Sequence, residues 1–150
     1  MNFLKPKFWD KDQISFFSIF LFPFSLCFKL INLSRSIFVK KNKFSIPIIC
    51  VGNIYLGGTG KTPLSIELFF ILKKLNKNPA FIRKKYKNYQ DEIDLLSNAG
   101  ATYEDKTRKN ALDLAIKNSI DVAILDDGFQ DFSVKKDLSI ICFNEKQWVG

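Results

Sequence analysis

The stretch IPIICVGNIYLGGTGKTP, residues 46–63, decides the fold of this 150-residue chain. Its first part, residues 46–51, is a short apolar run of the kind that forms a buried strand. The glycine cluster GGTGKT at residues 57–62 comes next, and apolar residues recur at helical spacing over residues 63–75. A strand, a glycine-rich loop and a helix in this order predict a phosphate-binding loop.

The residues of this loop have separate predicted roles. Glycine lets the backbone approach an anion closely and turn several N–H groups toward it, and the helix amino terminus adds positive potential. In such a loop Lys61 binds the β- and γ-phosphates of a nucleotide, and the Thr62 hydroxyl binds Mg²⁺. The other predicted nucleotide-binding residues of the loop are Gly57, Gly58, Thr59 and Gly60. The strict pattern has glycine where this chain has Tyr55, and the alternative is a glycine-rich turn with an incidental Lys-Thr pair.

Strands and helices alternate along the rest of the chain. Further strands are predicted at residues 79–82, 122–125 and 138–143, and further helices at residues 91–98 and 107–118. This alternation is typical of an α/β fold with a parallel sheet and helices on both faces. We therefore predict one P-loop NTPase-like nucleotide-binding domain over residues 45–150, preceded by a separate amino-terminal segment.

Two aspartates follow the predicted strand at residues 122–125, within ILDDGFQ at residues 124–130. Carboxylates at the carboxyl end of a buried strand lie beside the phosphate loop in doubly wound sheets, where they hold Mg²⁺ directly or through water. Asp126 and Asp127 are therefore candidate metal ligands together with Thr62. An Asp-Gly turn is the alternative, but a turn accounts for one aspartate and not for two.

A third acidic group, Asp91-Glu92, begins a predicted helix. Phosphoryl transfer to an alcohol benefits from a carboxylate that accepts the hydroxyl proton. Acidic residues are also common in the first turn of a helix, because they complement its dipole. The residues alone therefore favour a structural role for this pair over a catalytic one.

The first 44 residues differ from the remainder. Residues 13–28, QISFFSIFLFPFSLCF, carry no charge, and a helix that spans a bilayer needs about 20 such residues. The net charge of the chain is +8, and most of it lies in residues 1–66, where nine Lys or Arg residues outnumber the two acidic residues, Asp10 and Asp12. Basic residues after an apolar segment favour anionic headgroups on the cytoplasmic side of a membrane. We predict an apolar membrane-associated helix in residues 1–44 and no nucleic-acid partner; the alternatives are a signal peptide and two buried helices broken at Pro23.

Three cysteines, Cys27, Cys50 and Cys142, lie far apart, and histidine is absent from the chain. A structural zinc site would have too few ligands. An odd number of dispersed cysteines suits a reducing cytoplasm. We expect Cys50 and Cys142 to be small core residues of strands.

The order of these motifs resembles that of the tetraacyldisaccharide 4'-kinases, the lipid A 4'-kinases of Gram-negative bacteria. The most specific match is VGNIYLGGTGKTP at residues 51–63, and ILDDGFQ at residues 124–130 is the second. That family also lacks the first glycine of the strict loop pattern. The resemblance covers essentially the whole chain, but only about the first half of a typical member.

This resemblance implies an ATP- and Mg²⁺-dependent enzyme of lipid A (lipopolysaccharide) biosynthesis. It implies transfer of the γ-phosphoryl group to the 4'-hydroxyl of a tetraacylated glucosamine disaccharide 1-phosphate, at the cytoplasmic face of the inner membrane. Carried over by position, Asp91 is the catalytic carboxylate, and Lys61 and Asp127 serve the transfer step beside it. Gln130 would line the nucleotide site.

The chain departs from the family pattern at three motifs. Asp131 stands where the family has histidine after DDGFQ, Arg83-Lys-Lys-Tyr86 replaces Arg-Gly-Tyr-Gly, and Ile93 replaces the proline of Asp-Glu-Pro. Other family residues, including a histidine that partners the catalytic aspartate, belong to the second half of a typical member. The alternatives to a kinase are a membrane-tethered ATP-binding module without catalysis and a P-loop ATPase.

Overall fold

A computed structural model of the chain describes residues 16–53, 60–85 and 90–143. These residues group into two compact units, which divide between Val39 and Lys40. The first unit contains helix α1 (Phe16–Phe38). The second contains, in chain order, β1 (Ile48–Asn53), α2 (Lys61–Lys74), β2 (Pro79–Lys84), α3 (Gln90–Ala99), β3 (Thr102–Asp105), α4 (Arg108–Lys117), β4 (Val122–Asp126) and β5 (Leu138–Cys142).

Helix α1 is continuous through Pro23 over its 23 residues. Its described side chains, at residues 19–31, 33 and 34, are all exposed. The break at Pro23 that one alternative for this segment requires is therefore not observed. Within the described ranges, no helix combines the length and the apolar character needed to cross a membrane.

The five strands of the second unit are parallel and lie in the order β3-β2-β4-β1-β5. β1 pairs with β4 on one side, where Cys50 lies beside Leu125, and with β5 on the other, where Cys50 lies beside Ser139. Strands β2 and β4 are buried almost throughout, as parallel strands with helices on their faces must be. The predicted α/β fold with a parallel sheet is thereby confirmed.

Helices cover both faces of the sheet. On one face, Phe81 of β2 packs with Phe69 of α2 and Leu96 of α3, and the two phenylalanine rings stack with centroids 4.9 Å apart. On the other face, Leu125 of β4 packs with Leu112 of α4. Each such buried side chain contributes about 1.5–3 kcal/mol to folding, so the two clusters fix the helices against the strands.

Strand β3 is absent from the prediction made from the sequence. Its residues, Thr102-Tyr-Glu-Asp105, are polar or half-buried and form an edge of the sheet beside β2. Prediction from apolar runs misses such a strand, because an edge can be polar where a central strand cannot. Of the two strand cysteines expected in the core, Cys50 is buried and Cys142 is half-buried.

Candidate active site

The carboxyl ends of β1 and β4 lie side by side and bring the glycine-rich loop and the paired aspartates to one edge of the sheet. Val51 of β1 pairs with Asp126 of β4, and β1 ends at Asn53, directly before the loop. Three predicted nucleotide-binding residues lie outside the described ranges: Gly57, Gly58 and Thr59. Their roles stay predictions, and the site is built from the residues on either side of them.

Helix α2 begins at this edge. Gly60 precedes it with a φ of 77°, in the left-handed region that glycine adopts readily. The Leu64 amide donates to the Gly60 carbonyl at 3.1 Å, which closes the first turn. The first amides of a helix, here those of Lys61 and Thr62, have no acceptor within the helix, and together with its dipole they favour an anion.

Lys61 connects the two motifs. Its Nζ donates to Oδ1 of Asn53 at 3.0 Å and to Oδ1 of Asp127 at 3.2 Å. The Asp127 side chain is 62% exposed, and ion pairs in such contact with water contribute only about 0–1 kcal/mol. The Lys61 ammonium is therefore held in place between β1 and the end of β4, yet a stronger anion can draw it away from Asp127.

Asp126 is a buried carboxylate, 2% exposed, at the end of β4. Its Oδ1 accepts a hydrogen bond from the Ser65 hydroxyl of α2 at 3.1 Å. Burial raises the pKa of Asp126 above its ordinary value of 3.8, while the charge of Arg83 and the Ser65 hydroxyl act in the opposite direction. Since an ionised carboxylate is costly to bury, a cation beside Asp126 would stabilise it.

Candidate oxygen ligands for a hard cation lie on α2 and at the end of β4. Thr62 lies half-buried in the first turn of α2, and Ser65, which contacts Asp126, lies on the same helix three residues later. The described residues contain no cluster of three acidic, histidine or cysteine side chains that could hold a metal alone. The set of Thr62, Asp126 and Asp127 therefore fits Mg²⁺, which prefers oxygen and takes further ligands from phosphates and water.

The Asp91-Glu92 pair is tied to the same edge by Arg83. Near the end of β2, the Arg83 side chain is 7% exposed, and its NH2 group donates to Oε2 of Glu92 at 2.8 Å. Arg83 also acts on Asp126 through its charge. Asp91 itself is exposed on the first turn of α3, so the Arg83–Glu92 contact anchors the turn that carries it.

The turn after β4 has a compact backbone. Asp127 has a φ of 55°, and its amide donates to the Val51 carbonyl at 2.9 Å. The Phe129 ring lies against Gly52, where a Cβ would approach Cδ2 of the ring to 1.9 Å. Gln130 is exposed in the same turn, and its role in lining the nucleotide site stays a prediction.

Sequence reasoning missed three polar groups that complete the site. Asn53 ends β1 and belongs to the family-specific stretch at residues 51–63, but neither fact assigned it a contact with Lys61. Ser65 is a polar residue on the buried face of α2, three positions after Thr62. Arg83 follows the apolar run of β2, and a charged residue at the end of a buried strand was the only sequence feature that indicated a role in the site. These sequence features occur in many proteins, and none of them predicts which residue the side chain contacts.

Residues 17–105 and 91–150 match the family described as LpxK: Tetraacyldisaccharide-1-P 4'-kinase. A curated relative named tetraacyldisaccharide 4'-kinase, from Pelagibacter ubique (strain HTCC1062), is 49% identical over 100% of this chain and 48% of its own length. Relatives of the same name are 30% identical in Rickettsia canadensis (strain McKiel), over 100% of this chain and 50% of the relative, and 29% identical in Rhodopseudomonas palustris (strain BisA53), over 97% and 47%. The chain spans about half the length of the curated relatives it matches.

The fold is also similar to a solved structure, the "apo" form of LpxK from Aquifex aeolicus in complex with ATP. The TM-score is 0.66 at 28% sequence identity, and the match covers 84% of this chain and 49% of the other.

Proposed function

We propose that this chain, which belongs to the tetraacyldisaccharide-1-P 4'-kinase family, forms the ATP-binding part of a lipid kinase. Its phosphoryl donor is ATP, and its acceptor is the 4'-hydroxyl of a tetraacylated glucosamine disaccharide 1-phosphate in lipid A biosynthesis. The observation that carries this proposal is the position of the Lys61 ammonium, which contacts Asn53 and Asp127 at the start of α2.

Lys61 exchanges partners when a nucleotide binds. Its contact with the exposed Asp127 carboxylate is screened by water and contributes about 0–1 kcal/mol, whereas a charge-assisted hydrogen bond to phosphate contributes about 1.5–3 kcal/mol. The ammonium therefore turns toward the β- and γ-phosphates while Asn53 continues to guide it. Amides at the start of α2 and in the preceding loop donate to the same phosphate oxygens.

Thr62, Asp126 and Asp127 are the residues that hold Mg²⁺. When bound, this ion offsets the charge of the phosphates during transfer. Ser65 fixes the orientation of the Asp126 carboxylate through its hydrogen bond of 3.1 Å. With Lys61 turned to the phosphates, the Asp127 carboxylate would be free to act as a ligand of this ion.

Asp91 is the proposed base. The acceptor oxygen attacks the γ-phosphorus, the bond from that phosphorus to the bridging oxygen of ADP breaks, and Asp91 takes the hydroxyl proton. The Arg83–Glu92 ion pair of 2.8 Å holds the first turn of α3 at the edge of the sheet, so Asp91 does not have to be ordered by the substrate. Catalysis in this reaction class is mostly positioning and electrostatic stabilisation.

Helix α1 supports a membrane-surface location, because the acylated acceptor lies in a bilayer. Its exposed apolar side chains include Phe20, Phe22, Phe24 and Phe28. Lys40, Lys41 and Lys43 follow the helix, and each basic residue near an anionic surface contributes about 1 kcal/mol. We infer that the chain works at the cytoplasmic face of the inner membrane.

Calorimetric titration with ATP and Mg²⁺ tests the nucleotide site. Wild-type chain should bind, and Lys61→Met should bind at least about tenfold more weakly, since one charge-assisted contact is lost. Lys74→Met, which removes the same charge from the far end of α2, is the matched control and should bind like wild type. Folded wild-type chain that takes up no nucleotide would refute the proposal.

Transfer to lipid is tested with γ-labelled ATP and the tetraacyldisaccharide 1-phosphate in detergent. The chain is joined for this purpose to the part of the Pelagibacter ubique relative that lies beyond the matched region. Asp91→Asn should reduce labelled lipid about 100-fold or more while ATP affinity is retained, and Asp94→Asn on the same helix should be active. Labelled phosphate released without lipid would instead indicate an ATPase.

A further inference from the structure

The Asp127 peptide is held in a conformation that few residues with a Cβ adopt. Its φ of 55° is in the left-handed region. Two contacts hold this peptide unit from opposite sides: its amide donates to the Val51 carbonyl of β1 at 2.9 Å, and its carbonyl accepts from NH2 of Arg108 at 2.7 Å. The second contact comes from α4, on a different part of the chain.

Arg108 occupies a position in α4 at which a positive charge does not stabilise the helix. It is the first residue of α4, and a positive charge in the first turn opposes the helix dipole. Even so, the residue is only 7% exposed. The stability of α4 does not explain a buried cation at this position, so the explanation lies in the groups that its guanidinium contacts.

The guanidinium joins the two ends of one turn. While NH2 contacts the Asp127 carbonyl, NH1 lies 3.5 Å from Oδ2 of Asp131. Asp131 is fixed in turn, because its Oδ1 accepts from the Ser133 amide at 3.0 Å and from the Ser133 hydroxyl. Arg108 therefore has an anchored counter-ion on one side and the strained peptide on the other.

Lys136 provides an internal comparison. Its Nζ donates to the carbonyls of Phe129 at 3.1 Å and Asp131 at 2.8 Å, so it tethers the same turn by the same kind of bond. Neither bond involves Asp127. Loss of Lys136 loosens the turn in general, whereas loss of Arg108 releases the one peptide that carries the carboxylate next to Lys61.

We propose that Arg108 is a positioning residue of the nucleotide site. It holds the Asp127 peptide in its left-handed conformation and thereby fixes the place of the Asp127 carboxylate, while Asp131 holds Arg108. In the chain without nucleotide that place is 3.2 Å from the Lys61 ammonium, and after Lys61 turns to phosphate it is where the proposed cation would find the carboxylate. The consequence for ATP rests on the proposed function; the consequence for the Asp127 backbone does not. Arg108 acts through Asp127 and is not itself a catalytic residue.

The test compares Arg108→Met, Arg108→Lys and Lys136→Met in the full chain. Two quantities are measured: the backbone carbon chemical shifts of Asp127 with its amide exchange rate, and the affinity for ATP with Mg²⁺. Arg108→Met should move the Asp127 shifts away from left-handed values, speed its exchange and weaken ATP binding about tenfold. Arg108→Lys should give shifts, exchange and affinity between those of wild type and Arg108→Met, because one ammonium cannot reach both Asp127 and Asp131. Lys136→Met should keep the Asp127 shifts and bind within about twofold of wild type.

Unchanged Asp127 shifts in folded Arg108→Met would overturn the proposal, and so would equal losses of affinity in Arg108→Met and Lys136→Met. If Arg108→Met does not fold, Asp131→Asn replaces it: faster Asp127 exchange with about threefold weaker binding supports the proposal, and wild-type exchange overturns it. Wild-type chain that does not bind ATP, with Asp127 shifts that still depend on Arg108, would refute the proposed function and support the positioning role.

Discussion

Gly52 of β1 should tolerate no side chain, because the Phe129 ring occupies the space that a Cβ would need. A Cβ on Gly52 would lie 1.9 Å from Cδ2 and 2.5 Å from Cε2 of that ring, well inside the contact distance of about 3.5–4.0 Å between carbons. Gly52 is buried and pairs with Ile141 of β5, so its backbone cannot retreat without disturbing the sheet. In Gly52→Ala the ring has to move.

The size of the effect follows from this geometry. Overpacking of a buried site costs about 1–3 kcal/mol. The three atoms nearest to the added Cβ all belong to the Phe129 ring, so removal of that ring should relieve the cost. Phe129→Ala alone should destabilise by less than the roughly 3–5 kcal/mol of a fully buried phenylalanine, since Phe129 is only half-buried. The double variant should therefore be more stable than the sum of the single changes by about 1–3 kcal/mol.

Urea unfolding followed by circular dichroism measures all four free energies of unfolding. Gly60→Ala is the matched control: φ is 77° there and no described atom lies within 4 Å of the added Cβ, so its cost of about 1–2 kcal/mol is conformational. Combined with Phe129→Ala, it should be additive within about 0.5 kcal/mol. Additive free energies for the Gly52→Ala and Phe129→Ala pair would refute the reasoning, since the ring would not be the obstacle.

Three further predictions concern charged groups near the site. Asp126→Asn should raise the urea midpoint of the nucleotide-free chain at pH 7, because burial raises the pKa of this carboxyl above 3.8 and its ionisation opposes folding; below pH 3.8, where wild type is protonated in both states, the two proteins should match. Burial alone would raise the pKa of Asp131, but the Ser133 hydrogen bonds and the Arg108 charge outweigh it and lower the pKa below 3.8. The Asp131 carboxylate therefore stabilises the fold above that pH, and Asp131→Asn should lose less stability than wild type when acid takes the pH below 3.8. Arg83→Met should raise the pKa of Asp126 further, because the Arg83 charge lowers it; a carbon NMR titration of the carboxyl measures the change.

Much of the fold could be predicted from the sequence, because the central strands are short apolar runs buried on both faces. The prediction for β1 nevertheless ended at Val51, whereas the strand continues to Asn53. Gly52 and Asn53 have the composition of a loop, but they pair with Ile141 and Cys142 of β5. Local composition could not reveal that pairing, since it depends on a strand almost ninety residues later in the chain.

The sequence predicts candidate residues inside each motif, but it does not predict the contacts between residues of different motifs. Lys61, Asp126 and Asp127 could be named as candidates because each lies at a fixed place beside a predicted strand or helix, and the structure brings them to the same end of the sheet. Arg108 could not be assigned, because its partner lies on the turn after β4 and its own position, at the start of α4, predicts no charge-dependent role. Its function depends on the strand order, in which β4 lies between β2 and β1, and periodicity does not determine strand order.

The balance of charge at this edge of the sheet explains why nucleotide and metal should bind together. Lys61 and Arg83 are positive, whereas Asp126, Asp127 and Glu92 are negative, so the groups in contact here carry an excess of negative charge. ATP alone would bring several more negative charges beside a buried carboxylate, at a high electrostatic cost. A divalent cation alone would meet the Lys61 ammonium, which contacts the more accessible of the two aspartates. If both bind as proposed, Lys61 would move to phosphate and the aspartates would face the cation. Each ligand would then remove the repulsion that the other meets, and their affinities would be coupled reciprocally.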